Sequence, residues 1–432
     1  MSADDGEPAK TKNEFSKGWT VLLAGVLGVM CGASPIPYNI IGFTAEPLQA
    51  EFDLSQTQAL LPITIFGVIA SLLAPVFGWM ADRFGVRPVA LWSLFAFGMA
   101  FAAISLTPTE NSPQTLYIYY GFWIVLGFVG IGSTPVTWSR AINLWFYQHR
   151  GLALGILLLG SSLAAMIVPR VAVEVIETYG WRSMFAVVAL FPAAALIVAF
   201  FLFREPTPDE RPSAIESDTG NLTGATLGSA LKDYRFWLIW LSIAMIATAF
   251  GGIFINLPTM LRLRGVEPAT AATVMGILGF GILAGRLITG ALLDRFWQGF
   301  VAFPLLCLPA ISAWILLGDT MPFALTALAG LLLGFAAGAE SDLIAYQTGR
   351  YFGMANYGKI YGMLYLPFGL FSASSPVIYA QVYDRTGSFS PILELGIYGF
   401  VIGGGLLLFL GHYPTQFPET VNRPTKPQPE RA

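Results

Sequence analysis

The sequence is poor in charge. Only 11% of its 432 residues are Asp, Glu, Lys or Arg, while 55% are hydrophobic and the mean hydropathy is +0.65. Soluble domains carry about 25% charged residues. A water-soluble fold could not cover itself with this composition, so most of the surface is expected to face lipid. Histidine and cysteine are nearly absent, at two residues each. Cys31 and Cys307 both fall inside apolar segments, which argues for packing and against a disulfide or metal role. No Gly-x-x-x-x-Gly-Lys-Ser/Thr loop occurs, and no soluble stretch is long enough to hydrolyse a nucleotide. No cluster has metal-ligand or nucleophile–base spacing, so an enzyme is not expected and no cofactor is implied. The net charge of −3 gives no footing for nucleic acid.

Long apolar segments are what the chain has instead. A bilayer span needs about 20 apolar residues, and twelve such segments can be laid on the sequence. They cover 19–43, 57–79, 87–106, 116–141, 151–174, 183–203, 236–260, 271–293, 299–318, 322–347, 358–380 and 390–411. The first 18 residues are hydrophilic, with no cleavage site ahead of the first apolar run, and read as a tail rather than a signal peptide. Arg204 to Arg235 is rich in Pro, Asp, Glu, Ser and Thr and reads as a link between two halves, 19–203 and 236–411. The polar tail 412–432 completes the division. The expected fold is an all-α membrane protein of twelve transmembrane helices in two pseudo-symmetric six-helix halves. With the N-terminus inside, about 16 of the 23 basic residues fall on the cytoplasmic side. This places both termini and the link in the cytoplasm. Short loops suit a bacterial inner membrane.

One charged turn appears twice. Gly78, Asp82, Arg83, Gly85 and Arg87 are spaced as Gly-x-x-x-Asp-Arg-x-Gly-x-Arg, and Gly290, Asp294 and Arg295 repeat its core 212 residues later. Gly67 matches Gly279 at the same offset. A second offset of 207 pairs Leu126, Gly127 and Phe128 with Leu333, Gly334 and Phe335. It also pairs Gly151 with Gly358, Gly155 with Gly362, Pro169 with Pro376, and Gly180 with Gly387. Two constant offsets over several segments point to a duplicated chain, the architecture of a secondary transporter. Both halves lie in one chain, so a monomer suffices.

On these residues the chain resembles the major facilitator superfamily over nearly its whole length. The Gly78–Arg87 turn is that family's most specific signature, and the resemblance implies that it locks helices at the cytoplasmic gate. Physically, an Asp at a helix end can meet arginines and a neighbouring helix N-terminus in one gate state and leave them in the other. A narrower likeness is to monocarboxylate and oxalate/formate transporters. It runs through Trp145, Phe146, Arg150, Gly151, Ala153, Gly155, Pro169, Gly180, Trp181 and Arg182, then Gly279, Gly281, Gly285 and Arg286. That branch implies small organic anions, often moved with a proton. The chain departs from the animal carriers in two places. Their first-span lysine is missing from Ile36, Pro37, Tyr38 and Asn39, and Ile282 stands where they have an Asp.

An ionisable residue deep in a span is a functional candidate by default. Arg286 lies eight residues before Asp294, about 12 Å inside the mouth at 1.5 Å per residue. Glu340 and Asp342 lie ten and eight residues before Arg350, at about 12–15 Å. An arginine can hold a carboxylate through two parallel hydrogen bonds, and a buried carboxylate beside it can carry a proton. Residues two apart on a helix point about 200° apart, so Glu340 and Asp342 cannot both face the arginine. Tyr38, Asn39 and Tyr365 are candidate hydrogen-bond partners of the substrate. Gly330, Gly334 and Gly338, four apart, suit close helix packing or a bend.

Three readings stay open at this point. The first is a transporter of a small organic anion, held by Arg286, with a proton on Glu340 or Asp342. The second is a proton-driven exporter of hydrophobic or cationic compounds, with Arg286 as a structural counter-ion to the acids. The third, with least to support it, is a solute sensor that does not transport.

Overall fold

The computed structural model describes residues 14–146, 150–206, 224–293, 295–318, 320–353 and 356–414. Asp294 lies outside the described residues, and so do the side chains of Asp82 and Asp342. The described chain is helical, with one isolated bridge between Gly224 and Gly353. Its helices are α1 (Glu14–Met30), α2 (Ile36–Phe52), α3 (Gln56–Phe84), α4 (Val86–Ala103), α5 (Pro113–Val129), α6 (Pro135–Trp145), α7 (Arg150–Val188) and α8 (Leu190–Leu202). After the link come α9 (Leu227–Lys232), α10 (Tyr234–Arg262), α11 (Pro268–Leu293), α12 (Gln298–Leu316), α13 (Phe323–Phe352), α14 (Tyr357–Thr386) and α15 (Ser390–Leu406).

Among the described residues, nine helical runs are long and apolar enough to cross a bilayer. One of them, Leu152–Leu202, is two passes. Gly180 breaks it with φ +82, a conformation that glycine alone adopts freely. Two further passes are helices interrupted midway, α1 with α2 and α5 with α6. This gives the twelve spans expected. One hydrophobic core runs from Val21 to Phe203 and joins Ile255 and Ala380 of the second bundle. The other runs from Ala225 to Leu410.

The two interruptions have one cause and support each other. Pro35 and Pro37 lack the N–H that a continuing first span would need, and Pro135 sits in the first turn of α6, where a missing N–H costs nothing. The freed backbone groups find partners across the break. Ala33 N donates to Ser133 Oγ at 3.0 Å, Trp138 Nε1 donates to Ser133 O at 3.2 Å, and Asn39 Nδ2 donates to Pro35 O at 2.8 Å. Non-helical backbone is tolerated at membrane depth only under such conditions. In the second bundle the matching spans, α10 and α13, run unbroken.

There α11 and α13 lie side by side and parallel, through glycine. A Cβ on Gly330 would come within 3.0 Å of Val274 O, one on Gly334 would strike Leu278 O, and one on Gly338 would strike Ile282 O. The fit is reciprocal, because a Cβ on Gly281 would meet Leu331 O at 2.5 Å and one on Gly285 would strike Phe335 O. The glycine row therefore packs and does not bend. The contacts run at offsets of 56 from the α13 glycines and 50 from the α11 glycines, so each residue of α11 is level with α13 residues between 50 and 56 positions later.

The bundles meet along six helices, α2 with α10, α3 with α14 and α7 with α11, and they meet at one end only. The face carrying the Gly78–Arg87 turn is here the motif face; the opposite one is the far face. Toward the far face α3 packs on α14, where Gly67 lies against Ala373 and Thr64 Oγ1 donates to Ala373 O at 2.7 Å. Likewise α11 packs on α7, where Gly279 lies against Ala165 and Met166. Eleven residues is three turns, so Gly67 and Gly78 share one face of α3. The same step joins Gly279 to Gly290, Met166 to Gly155 and Ala373 to Gly362. At each of these four motif-face glycines a Cβ would meet nothing within 4 Å. Over about 16 Å the interface helices pass from contact to open space, so the molecule is closed at the far face and open at the motif face.

Candidate functional site

The open side leads to the residues singled out in the sequence. Tyr365 reaches the cavity at 36% exposure although it lies two turns inside α14. It is within electrostatic reach of Glu340 from α13, Arg286 from α11 and Tyr38 from α2. The Tyr38 hydroxyl lies over Gly67 of α3, where a Cβ would come within 2.5 Å of it. One cation, one carboxyl group and two phenols thus converge from four helices of both bundles. Arg286 enters beside the Gly334–Gly338 row, where a Cβ on Gly338 would lie 2.9 Å from Arg286 N. Glu340 falls on the other side of α13, toward Tyr365. It is 4% exposed, and its Oε1 accepts no hydrogen bond among the described residues.

Other candidates are placed elsewhere. Asn39 is buried and donates an amide N–H to the Pro35 carbonyl, which supports the break, while its Oδ1 accepts no hydrogen bond among the described residues. In the motif turn, Gly85 has φ +90, and a Cβ there would lie 2.8 Å from Glu205 Oε1. Glu205 accepts from Arg87 N at 2.9 Å, and Arg87 Nη2 donates to Phe200 O at 2.8 Å. Gly85 and Arg87 therefore tie the second and third spans to the end of the sixth, inside one bundle. Arg83 is exposed, with its guanidinium 5.5 Å from the Trp79 ring. Gly78 and Gly290 face the opening, and Arg295 is exposed beside it.

Sequence reasoning missed the approach to the site. Tyr357, Tyr361, Tyr365 and Phe368 form a continuous row along α14, with ring centroids 5.6, 5.6 and 5.1 Å apart. The row runs from the motif-face mouth to the cluster. Its signal was present as tyrosines four apart, which share one helix face. The far-face pin around Glu51 was missed as well. Glu51 Oε2 accepts from Trp181 Nε1 at 2.8 Å and from Arg182 Nη1 at 2.9 Å, while Arg182 also donates to Thr107 O and Pro108 O. This gives the Gly180-Trp181-Arg182 corner a structural task in the first bundle.

Two helical bundles that cross a membrane, closed on one face and open on the other around a polar cluster, define the class of membrane transporters. Residues 22–376 match the Major Facilitator Superfamily, and the chain belongs to it. It is 28% identical over 420 residues to a probable sulfoacetate transporter of Cupriavidus necator, covering 89% of this chain and 92% of that one. It is 23% identical over 411 residues to monocarboxylate transporter 11 of Homo sapiens, covering 91% and 83%. Among solved structures it is similar to a D-xylose-proton symporter, with a TM-score of 0.70 at 15% identity over 92% of this chain and 98% of that one. The protein is thus a multi-pass membrane transporter and not an enzyme.

Proposed function

We propose that the protein moves a small organic anion together with a proton by alternating access. The convergence of Arg286, Glu340, Tyr365 and Tyr38 at the inner end of the opening carries this reading. Arg286 supplies the fork that holds a carboxylate or sulfonate, and the two phenols supply further donors. Glu340 carries the proton. A carboxyl group shut away from water takes a proton up and releases it when the cavity opens. Two relatives bear the names of organic-anion transporters, which supports the substrate class. In this reading 19–203 and 236–411 rock against each other about the link 204–235, a single chain suffices, and the motif face is cytoplasmic in a bacterial inner membrane.

The test is proton flux in proteoliposomes challenged with a panel of small carboxylates and sulfonates. Anion-dependent proton entry in the wild type, lost in folded Arg286→Ala, is the expected result. Anion transport unchanged in Arg286→Ala would remove the arginine from the site. No flux with any anion, but export of lipophilic cations, would replace the reading with the exporter.

A further inference from the structure

The far face is held shut by a contact that neither the motif turn nor the central cluster contains. Asp384, near the end of α14, sets its carboxylate on the first turn of α3. Gln56 N donates to Oδ1 at 3.0 Å and Thr57 N donates to Oδ2 at 2.9 Å. The partners belong to opposite bundles, 328 and 327 residues apart. The first N–H groups of a helix have no partner within it, and the helix dipole makes that end positive. A carboxylate placed there makes charge-assisted bonds, about twice as strong as neutral ones. Other links between the bundles surround it. Gln56 Nε2 donates to Asn256 Oδ1 and Thr259 Oγ1, both at 3.2 Å, and Arg262 pairs with Glu46 at 2.9 Å.

The duplication repeats this placement. The offsets of 207 and 212 carry Asp384 to Glu177 and Gln56 to Pro268. Glu177 shares the lining of a cavity of about 170 Å³ with Pro268 and Ala271, in the first turn of α11. In both bundles the fifth span thus ends in a carboxylate beside the start of the other bundle's second span.

We infer that Asp384 is the far-face latch of the transport cycle, the counterpart on that side of the Gly78–Arg87 turn. Its two hydrogen bonds form when the far face is shut and break each time it opens. The bundles cannot part at this end without losing both bonds. Asp384 is exposed, so water satisfies the separated groups and the latch opens reversibly. The inference rests on the alternating-access reading above, and its test separates the two.

The measurement is a pair of spin-label distances on the full chain in lipid nanodiscs, with Cys31 and Cys307 replaced by serine. Glu110→Cys with Glu267→Cys reports the far face, and Leu152→Cys with Lys359→Cys reports the motif face. In Asp384→Asn the ratio of far-open to motif-open molecules is expected to rise about ten-fold, as a neutral group replaces a charged one at a helix N-terminus. Asp384→Glu is expected to restore much of the balance, and Arg385→Ala, next in sequence, to leave it alone. Gln56→Pro removes one donor and the Gln56 side-chain bonds from the other bundle, in a helix position that accepts proline. It shifts the balance the same way and serves if Asp384→Asn does not fold. Two populations in the wild type, with the same ratio in Asp384→Asn and Gln56→Pro, would overturn the latch and leave alternating access standing. A single population in every variant, with and without substrate, would overturn both.

Discussion

At the residue scale, the sequence exposes charges that stand out from their surroundings and hides those that do not. Arg286 and Glu340 are legible because an ionisable group inside an apolar span has no bland reason to be there. Asp384 is not, because an acid near a span end is ordinary, and only the folded chain brings it to Gln56 and Thr57 from 328 and 327 residues away. Tyr357 and Tyr361 were hidden differently, since tyrosine is common near membrane interfaces and a row of four-residue steps is easily taken as packing. Glu340 offers the sharpest test at this scale. Its carboxyl is 4% exposed and Oε1 accepts no hydrogen bond among the described residues, so Glu340→Gln removes the exchangeable proton at nearly constant volume. If Glu340 is the carrier, the variant keeps anion exchange between equal pools and loses anion-driven proton entry at least about ten-fold, the range of a removed acid–base group. Exchange and proton flux measured in the same vesicles decide it. Undiminished proton entry would move the carrier to another residue.

At the scale of elements, hydropathy finds how many times the chain crosses but not where a crossing is interrupted. The first and fourth spans read as single apolar runs because a window averages over the break. The prolines at 35, 37 and 135 mark the right region, yet the fit of Ala33 to Ser133 joins segments 100 residues apart. The glycine row was legible as spacing, and its meaning came from the partner helix. Gly285 faces the Phe335 carbonyl and Gly290, five residues on, faces open space. Gly285→Ala must push two backbones apart, at about 1–3 kcal/mol for overpacking, which outweighs the roughly 1 kcal/mol gained by placing alanine in a helix. Gly290→Ala has only the gain. Thermal unfolding in one detergent should therefore show Gly285→Ala melting several degrees below the wild type and Gly290→Ala at or above it, at about 2–4 °C per kcal/mol. Equal midpoints for the two would mean that α11 and α13 are not packed backbone to backbone.

At the scale of the whole molecule, the duplication explains why one end can open while the other holds. The motif-face glycines Gly78, Gly155, Gly290 and Gly362 are two repeat pairs, and each lies eleven residues from a far-face contact on the same side of its helix. Had the halves been fused in parallel at both ends, a Cβ would meet a neighbour at all eight positions. Four meet none. If the molecule alternates, closing the motif face brings these four surfaces together, and glycine is what lets α3 approach α14 and α7 approach α11 there. Bulk at these positions then costs nothing in the conformation described and obstructs the other one. A ligand or substitution shifts a two-state balance only through its different energy in the two states, and a leucine side chain at a closing helix contact supplies such a difference. Gly155→Leu and Gly362→Leu are accordingly expected to unfold within a few degrees of the wild type, to hold the motif face open, and to lower transport at least about ten-fold, as about 1–3 kcal/mol of overpacking per site would do. Transport together with labelling of Lys359→Cys from each side of the membrane reads the outcome. Wild-type transport in the Gly155→Leu, Gly362→Leu double variant would show that these surfaces never meet, and the open end would then be a fixed vestibule rather than a gate.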